Sequence, residues 1–524
     1  MAPRVVHLVP HTHWDREWYL PFQSFRLRLV GLIDRVLGLM EADERFVFTL
    51  DGQLATVDDY LEVRPEAEPR IRELVRAGRL AVGPWHVLMD EFLVSGESMI
   101  RNLELGLARA EELGGALAVG YLPDQFGHVA QMPQILRRAG IEHAAVWRGV
   151  PAAIDGHAFR WFAPDGSSVR AEYLPHGYWN AAHLLALPDR VPAKVELLDE
   201  TMRPFFGDDD VLAMYGTDHA EPDPNLVALV AEANEAENGY RLDLTTLAGY
   251  FSQVRGTDGG QTGDSPGTDG GQTGGRRGSA PGTRLEWTGE LRSAARANLL
   301  PGVVSARVDL KAACARAERL LERYAEPLQT LWGDAWPAPL LDLAWRRVVE
   351  SSAHDSICGC SADAVCRQVL VRLEEAEQIA AGLAEEAASA LGRRAPSGST
   401  VVVNPSPYDR ADLVELDLAI PEEWEELSLE LPDGTLLATQ ELGRSEPLVV
   451  ARELRGADMP SFLARRLHGR ELYRRQLNGF SLDRDGDRPR LTLAVGDEPD
   501  PAWLDVDEVR AEIELACGAA PDET

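Results

Sequence analysis

Short apolar runs alternate with amphipathic segments along the first 250 residues, and this alternation limits the fold more than any other feature. Runs of four to eight apolar residues are typical of buried strands, and apolar residues that recur every three or four positions are typical of helices. Strands separated by helices form a parallel sheet, either open or closed into a barrel. We predict strands at residues 5–9, 46–50, 80–83, 118–122, 144–147, 169–174, 211–215 and 240–244.

Polar and aromatic residues directly follow most of these predicted strands. In parallel α/β folds, functional sites gather at the carboxyl ends of the strands. We therefore predict that residues 1–250 form an α/β catalytic domain with a concave, sugar-sized site that has aromatic walls and several carboxylates. The segments that follow the strands are residues 11–15, 51–53, 84–86, 123–128, 148–149, 175–179 and 216–219.

The first of these segments carries half of a metal site. His11, His13 and Asp15 occupy alternate positions, so a strand end would project them from one side, within reach of a single ion. Imidazole and carboxylate ligands suit zinc and related ions. Spacing alone leaves the other half of the site open. The candidate ligands are His11, His13, Asp15, Asp124, Asp218, His219 and His354.

Beyond residue 250 the character of the chain changes three times. Residues 251–284 contain GTDGGQTG twice in tandem, and such a Gly-rich segment is predicted to be an insertion or linker because it cannot bury a core. Residues 285–395 have helical periodicity at 308–324, 340–352 and 362–391, which predicts a three-helix middle domain that carries His354. Residues 396–524 are predicted to form a partial β-sandwich-like domain, with strands at 400–404, 412–418, 427–431, 435–440 and 490–494 and a helix near 509–515.

Charge and hydropathy exclude several partners. The net charge of −33 over 524 residues argues against nucleic acid and anionic membranes, because phosphate binding needs basic patches. No segment approaches the roughly 20 apolar residues of a membrane span. Residues 1–4 lead directly into the first predicted strand without the apolar region of a secretory signal. We therefore predict a cytoplasmic protein.

The cysteines do not indicate a disulfide framework. Five cysteines in a chain of this length are expected to be reduced thiols. Cys358, Cys360 and Cys366 lie close together in the sequence. Closed zinc sites usually have four ligands, so this spacing is weak evidence for a thiolate-bound metal and we do not predict one from it.

Paired carboxylates among the candidate residues would permit glycoside hydrolysis. A carboxylate that ligates a metal can attack a sugar carbon, while a second carboxyl, kept protonated, releases the leaving oxygen. A separation of about 5 to 5.5 Å between the two carboxyls predicts retention at the anomeric carbon, and about 6.5 to 9.5 Å predicts inversion. The sequence leaves both the separation and the choice of ligands open.

Five motifs follow one another between about residues 5 and 390. They are HTHWDREW at 11–18, GYLPDQFGH at 120–128, WRG at 147–149, LLPG at 299–302 and AHDSI at 353–357. This set resembles the α-mannosidases of glycoside hydrolase family 38, most closely the bacterial and archaeal branch that includes mannosylglycerate hydrolase. The resemblance implies a multidomain protein with a seven-stranded α/β barrel-like domain, a three-helix middle domain and β-rich C-terminal domains.

The resemblance also implies roles for individual residues. The implied ligands of one Zn²⁺ are His13, Asp15, Asp124 and His354, which leaves His11 outside the ligand set. Asp124 would also be the nucleophile that forms a covalent mannosyl-enzyme, and Asp218 would be the acid/base. The implied substrate-binding residues are Trp18, Phe126, Arg148 and Asp355. Two aromatic rings would face the sugar, a carboxylate would accept hydrogen bonds from its hydroxyls, and a guanidinium would supply positive charge.

Some expectations stay open at this point. Family members usually continue through a longer β-rich region, so we expect a C-terminally short member that acts on a mannoside or a mannose-containing oligosaccharide, and self-association into a homo-oligomer is left open. A metal-dependent amidohydrolase or carbohydrate deacetylase is one alternative, since a His-x-His at the end of a first barrel strand also occurs there. A non-catalytic mannose-binding homologue is the other.

Overall fold

The computed structural model describes residues 3–236, 239–254 and 285–396, together with residues 399–416, 418, 420, 424, 427–444, 448–453, 471–472, 475–483 and 490–496. The chain divides into two compact units. The larger unit contains Met1–Gln329 and Ala335–Ala384, and the smaller unit contains Thr330–Asp334 and Glu385–Thr524. The predicted Gly-rich insertion from residue 255 onwards and the predicted helix near 509–515 lie outside the described residues.

The strands described in the larger unit form two five-stranded sheets. These strands are β1 (Arg4–Thr12), β2 (Phe48–Leu50), β3 (Leu80–Ala81), β4 (Gly120–Leu122), β5 (His143–Val146), β6 (Ala158–Phe162), β7 (Ser168–Tyr173), β8 (Val211–Tyr215), β9 (Tyr240–Leu244) and β10 (Glu286–Thr288). In the first sheet, β1 pairs in parallel with β2, β8 and β9, and β3 pairs in parallel with β2. The second sheet has the order β10, β6, β7, β5, β4, and its β6 and β7 are antiparallel.

The central strand β1 is buried along most of its length. Val6, Leu8 and Val9 are at most 1% exposed, because both faces of a parallel strand are covered in such folds. The strand extends through His11 and Thr12, which the sequence pattern places after the strand end. His11 lies opposite Thr49 in the register between β1 and β2. The strand therefore carries the histidine motif into the interior of the sheet.

Helices separate most of the strands, as the periodicity predicts, but none of the described α-helices lies between β5 and β7. The α-helices described before residue 255 are α1 (Phe22–Ala42), α2 (Ala55–Leu61), α3 (Glu68–Arg76), α4 (Gly96–Leu113), α5 (Met132–Arg138), α6 (Val191–Phe206), α7 (Leu226–Glu235) and α8 (Leu247–Val254). In α1, Phe25, Leu29 and Ile33 recur at helical spacing and are buried. In α4, Ser95 caps the amino end by accepting a hydrogen bond from the backbone N–H of Ser98 at 3.0 Å.

A helical segment follows the second sheet. It contains α9 (Val308–Leu320), α10 (Glu326–Trp332), α11 (Ala338–Ser351), the short α12 (His354–Ile357) and α13 (Asp363–Gly392). Leu321, Trp345 and Ala380 belong to one buried cluster that joins the first, third and last of these helical stretches. The three long helical patterns in the sequence correspond to α9 with its π-helical continuation at Leu321–Ala325, to α11 and to α13.

The smaller unit has antiparallel strands. They are β11 (Leu429–Glu430), β12 (Leu436–Leu437), β13 (Leu448–Glu453), β14 (Glu471–Leu472), β15 (Arg475–Asp483) and β16 (Arg490–Gly496), and the last four form one sheet in the order β13, β16, β15, β14. The prediction of strands at 400–404 and 412–418 is wrong for the residues described there, which have no strand partner. Leu413 is 97% exposed, so the apolar positions in that stretch have no buried face.

The multidomain α/β class is confirmed, with differences in detail. The sequence pattern missed β6, although Phe159 and Trp161 are buried and alternate with more exposed residues. This strand adjoins β7 without an intervening helix, so the strand–helix alternation does not reveal it. The seven-stranded barrel and the domain boundaries stay predictions. None of the described helices is long and apolar enough to cross a membrane.

A buried ionic network lies beside β6 and β7. The carboxylate of Glu172 is 2.6 Å from His157 Nδ1 and 2.9 Å from Arg170 Nη2. Burial disfavours the charged imidazole, but the Glu172 and Asp209 carboxylates outweigh it and raise the pKa of His157. Burial likewise disfavours the charged carboxylate, but His157 and Arg170 outweigh it and lower the pKa of Glu172.

We expect this network to make the stability of the fold depend on pH in two directions. The contribution of His157 is complete below its ordinary pKa of 6.5 and is lost as the pH rises through the raised value. The contribution of Glu172 is complete above its ordinary pKa of 4.5 and is lost as the pH falls through the lowered value. His157→Gln should therefore flatten the fall in unfolding free energy above about pH 6.5, measured by urea unfolding. The exposed His183, changed to Gln, is the matched control, and identical pH profiles for the two variants would contradict this assignment.

Candidate active site

Segments that are distant in the sequence meet at the carboxyl end of β1. The backbone N–H of His13 donates to the Thr217 carbonyl at 3.2 Å, and the N–H of His219 donates to the His13 carbonyl at 2.8 Å. The short helix α12 begins at His354, whose N–H donates to the Leu88 carbonyl at 2.9 Å. The strand-end rule for parallel sheets predicts that the segments at His13 and at residues 217–219 meet, but it does not predict the approach of His354.

The structure brings the four predicted zinc ligands together. His13 Nε2 lies 3.1 Å from Asp15 Oδ1 and 3.9 Å from Asp124 Oδ2. His354 Nε2 lies 3.4 Å from Asp15 Oδ1 and 3.6 Å from Asp124 Oδ2. His13, Asp15 and His354 are buried, and Asp124 is nearly so. The role of these residues as zinc ligands stays a prediction.

This donor set fits a cation. His13 Nε2, Asp15 Oδ1 and His354 Nε2 are buried without a hydrogen-bond partner, which is costly unless an ion or water satisfies them. One ligand atom from each of these three residues lies within 4.8 Å of the other two. Nitrogen and oxygen ligands at about 2.0–2.1 Å from a tetrahedral zinc ion stand roughly 3.3–3.4 Å apart, close to the distances given above.

A carboxylate that is not among the predicted site residues orients His13. Asp51 is fully buried, and its Oδ2 lies 2.9 Å from His13 Nδ1. The same oxygen accepts hydrogen bonds from the Trp14 backbone N–H and from Gln53 Nε2, both at 2.8 Å. An Nδ1–H that donates to a carboxylate leaves the Nε2 lone pair free to bind a metal. The only sign of this role in the sequence is the position of Asp51 directly after a predicted strand.

We expect Asp51→Asn to weaken zinc binding by about 10- to 100-fold, because the amide lacks the charge that makes His13 a stronger ligand. Competition with a chromophoric chelator measures this affinity. Asp34→Asn is the matched control, since Asp34 accepts a hydrogen bond from Tyr60 elsewhere in the fold. Equal zinc affinities for the two variants would show that Asp51 does not act through His13.

Arg148 holds one oxygen of Asp124. The guanidinium Nε and Nη2 atoms lie 2.8 Å and 2.7 Å from Asp124 Oδ1, and the guanidinium also lies over the Trp147 ring, 4.1 Å from its centroid. Burial disfavours the charged carboxylate, but His354, Arg148 and His13 outweigh it and lower the pKa of Asp124. Asp124 is therefore ionised, and Arg148 holds one of its oxygens while the other lies near the two histidines.

His354 is held by contacts from two parts of the chain. Its Nδ1 lies 3.0 Å from the Leu88 carbonyl oxygen. On the same short helix, Ser356 Oγ donates to Glu17 Oε1 at 2.7 Å. From α13, Arg372 Nη1 donates to Glu17 Oε2 at 3.2 Å. Glu17 is 1% exposed and belongs to the first motif, but it is not among the predicted site residues.

Negative charge dominates the surroundings of His354. Burial lowers the pKa of the imidazole, but the carboxylates of Asp355, Asp124 and Asp15 outweigh it and raise the pKa to about 10. Phe126 meets the imidazole edge-on, with ring centroids 5.6 Å apart and an interplanar angle of 85°. The predicted aromatic wall at Phe126 therefore contacts one of the predicted ligands.

Asp218, the predicted acid/base, lies beside the end of β1. It is exposed, forms an isolated parallel bridge with His13, and accepts a hydrogen bond from Tyr178 Oη at 2.7 Å. The Tyr178 ring lies 4.8 Å from the His13 ring, and its backbone carbonyl lies 2.7 Å from His11 Nε2. Tyr178 therefore lies at the candidate site, and the only sign of this in the sequence is that its segment follows a predicted strand.

The remaining predicted residues lie around this cluster. The half-buried Trp18 ring packs against Tyr19, with centroids 5.2 Å apart. Asp355 is 8% exposed, and its Oδ1 lies 3.2 Å from Cys360 Sγ. His219 Nε2, which is buried without a hydrogen-bond partner, lies 3.6 Å from Asp15 Oδ2. Sugar binding by Trp18 and Asp355 stays a prediction.

Buried imidazoles and carboxylates at the strand ends of an α/β framework are typical of metal-assisted hydrolases. Residues 3–269 match the N-terminal domain of glycosyl hydrolases family 38, and residues 298–391 match the alpha mannosidase middle domain. The chain therefore belongs to glycosyl hydrolase family 38, and the resemblance carried by the five motifs is confirmed.

Individual relatives agree with this assignment. The chain is 32% identical to the "Putative mannosylglycerate hydrolase" of Halalkalibacterium halodurans over 71% of its own length. It is 23% identical to Alpha-mannosidase 2C1 of Mus musculus over 87% of its length. The crystal structure of an alpha-mannosidase from Enterococcus faecalis V583 matches 95% of the chain with a TM-score of 0.69 and 26% identity. The chain spans 41% and 42% of the two curated relatives and 55% of the crystallised one.

Proposed function

We propose that this chain acts as a zinc-dependent retaining α-mannosidase, which hydrolyses terminal α-D-mannosyl linkages through a covalent mannosyl-aspartate. The observation that carries this proposal is the cluster of His13, Asp15, Asp124 and His354, in which Asp124 adjoins both imidazoles and is held by Arg148. Membership of family 38 supports the choice of a glycoside as substrate. The relatives with mannosidase names support mannose as the sugar.

The proposed reaction has two steps that use the carboxylates of this chain. In the first, Asp124 attacks the anomeric carbon, the bond to the leaving oxygen breaks, and Asp218 donates its proton to that oxygen. In the second, Asp218 removes a proton from water, the water oxygen attacks the anomeric carbon, and the bond to Asp124 breaks. Mannose then leaves with its original anomeric configuration, and both carboxyls return to their starting states.

The neighbouring side chains support this division of roles. Arg148 binds Asp124 Oδ1 and so orients the attacking carboxylate. Tyr178 donates a hydrogen bond to Asp218 and can hold it toward the leaving oxygen. A zinc ion bound by the four ligands would supply Lewis-acid charge to the sugar hydroxyls. Trp18 and Phe126 would present apolar ring faces to the sugar, and Asp355 would accept hydrogen bonds from its hydroxyls.

The name of the relative from Halalkalibacterium halodurans supports a small anionic aglycone. We infer that mannosylglycerate is a candidate substrate. We also propose that the sugar is bound by the α/β domain at residues 1–250 and the helical domain at residues 285–395, and not by the β-rich domain at residues 396–524. Parallel assays with mannosylglycerate and with mannose disaccharides would rank these substrates by kcat/KM.

The test of this function is hydrolysis of 4-nitrophenyl α-D-mannoside by the purified, zinc-loaded chain. Release of nitrophenolate, together with α-mannose as the first product seen by proton NMR, is the expected result. The β-mannoside and the α-glucoside are controls that should not react. Acetate release from an acetylated sugar would instead identify a deacetylase, and mannose binding without turnover would identify a non-catalytic homologue.

A further inference from the structure

Asp355, Cys358 and Cys360 form a second group of metal-binding side chains. Asp355 Oδ1 lies 3.2 Å from Cys360 Sγ, and the two sulfur atoms lie 3.1 Å apart. One ligand atom from each residue lies within 4.8 Å of the other two. Both cysteines are free thiols; Cys358 is buried and Cys360 is exposed. The group contains none of the four proposed zinc ligands His13, Asp15, Asp124 and His354, the histidine–aspartate cluster, but it shares Asp355 with the proposed sugar-binding residues.

A tight turn brings the two thiols together. Gly359 has a φ of +77°, and a Cβ atom there would lie only 3.0 Å from Arg307 Cβ, so the turn and the close approach both favour glycine. The backbone N–H of Cys360 donates to Cys358 Sγ at 3.4 Å and closes the turn. Lys311 Nζ donates to the Cys358 carbonyl at 2.7 Å and holds the turn from the other side.

The third cysteine of this region is not part of the group. Cys366 Sγ lies 3.6 Å from the Ser361 carbonyl oxygen, and the group found in the described part of the chain contains Asp355 in its place. The sequence spacing gave weak evidence for a thiolate metal because it suggested three cysteines and no further ligand. The fold supplies a carboxylate from the neighbouring helix α12, which makes a set of two sulfurs and one oxygen.

We propose that Asp355, Cys358 and Cys360 bind a thiophilic divalent cation, such as Cd²⁺ or a second Zn²⁺. Thiolate ligands select such ions over magnesium and calcium. Two sulfurs about 2.3 Å from a tetrahedral zinc ion stand roughly 3.8 Å apart, so a small rotation of the exposed Cys360 side chain opens the pair to the required distance. Each sulfur loses its proton to solvent as the ion binds, and the exposed Cys360 provides the path of entry.

Titration of the zinc-loaded chain with Cd²⁺ tests this site. Thiolate ligands give Cd²⁺ a charge-transfer absorption in the ultraviolet, and the histidine–aspartate cluster cannot produce it because it contains no sulfur. We expect the absorption to saturate at one thiolate-bound Cd²⁺ for each chain. Cys360→Ser should abolish the saturable absorption, and since Cys360 is exposed, this variant is expected to fold like the wild type.

Three further variants serve as controls. Cys366→Ser should retain the absorption, and so should Cys517→Ser, whose position lies outside the described residues. His354→Ala should also retain it, which separates this site from the proposed zinc ligands of the histidine–aspartate cluster. An absorption that survives in Cys360→Ser, or that disappears in Cys366→Ser or Cys517→Ser, would overturn the proposal. A chain that binds Cd²⁺ in this way but hydrolyses no mannoside would leave the second site intact and refute only the proposed function.

Discussion

Replacing Asp124 with asparagine is expected to lower kcat/KM for 4-nitrophenyl α-D-mannoside by about 10⁴-fold or more, because a neutral amide cannot attack the anomeric carbon. The loss should appear in kcat, since the nucleophile acts only in the chemical steps. A slow substrate such as a 2-deoxy-2-fluoro-α-mannosyl fluoride should also leave a covalent sugar on the wild-type chain. Mass spectrometry of the digested protein would then locate that sugar on the peptide that contains Asp124.

Two controls separate the loss of a nucleophile from the loss of a metal ligand. The zinc content of the Asp124 variant is measured alongside its rate. Asp58→Asn changes a carboxylate that pairs with Arg109 away from the site and should keep the wild-type rate. A zinc-containing Asp124 variant that hydrolyses the mannoside at the normal rate would refute the assigned nucleophile, as would a covalent sugar on another carboxylate.

Removal of zinc by a strong chelator is expected to stop hydrolysis and to lower the melting temperature. Without a cation, Asp15 Oδ1 and the Nε2 atoms of His13 and His354 stay buried without a hydrogen-bond partner. An ion present at about 1,000 times its Kd adds about 4 kcal/mol to the free energy of unfolding, so its loss is visible by calorimetry. One equivalent of Zn²⁺ should restore both the activity and the melting temperature.

His354→Ala tests the most distant of the four donors. We expect zinc affinity to fall by at least about 100-fold, because three donors remain of which two are carboxylates. His183→Ala, which alters an exposed histidine of the same unit, is the matched control. Circular dichroism checks that both variants fold. A zinc affinity equal to that of the wild type would show that the ion does not use His354 as a ligand.

Much of the candidate site could be predicted because it uses strand ends. His13 and Asp15 come directly at the end of β1, where the α/β rule expects polar residues to act. His354 needed the resemblance, since a histidine at the start of a short helix is equally explained as a surface or capping residue. Asp51 and Glu17 were not assigned roles, because each acts through another residue and periodicity does not reveal such hydrogen bonds.

The fold could be predicted where apolar runs are continuous. β8 and β9 have the predicted bounds, because each is a short apolar or alternating run between clear helical patterns. β1 was predicted too short, since its last residues are polar but pair with β2 within the sheet. In the smaller unit, β11 and β12 are shorter than the patterns at 427–431 and 435–440, because only part of each apolar stretch finds a partner.

The helical segment supplies side chains to the candidate active site as well as packing against the α/β part. Ser356 and Arg372 both reach Glu17, and His354 reaches the carboxylates at the end of β1, so residues from both matched family domains stand around one centre. A gene fragment that encodes only the α/β half would therefore carry Asp124, the proposed nucleophile, without His354, the proposed fourth zinc ligand. A chimera that joins the α/β part of one homologue to the helical part of another must therefore keep the hydrogen bonds of Ser356 and Arg372 to Glu17. The three residues should be exchanged together.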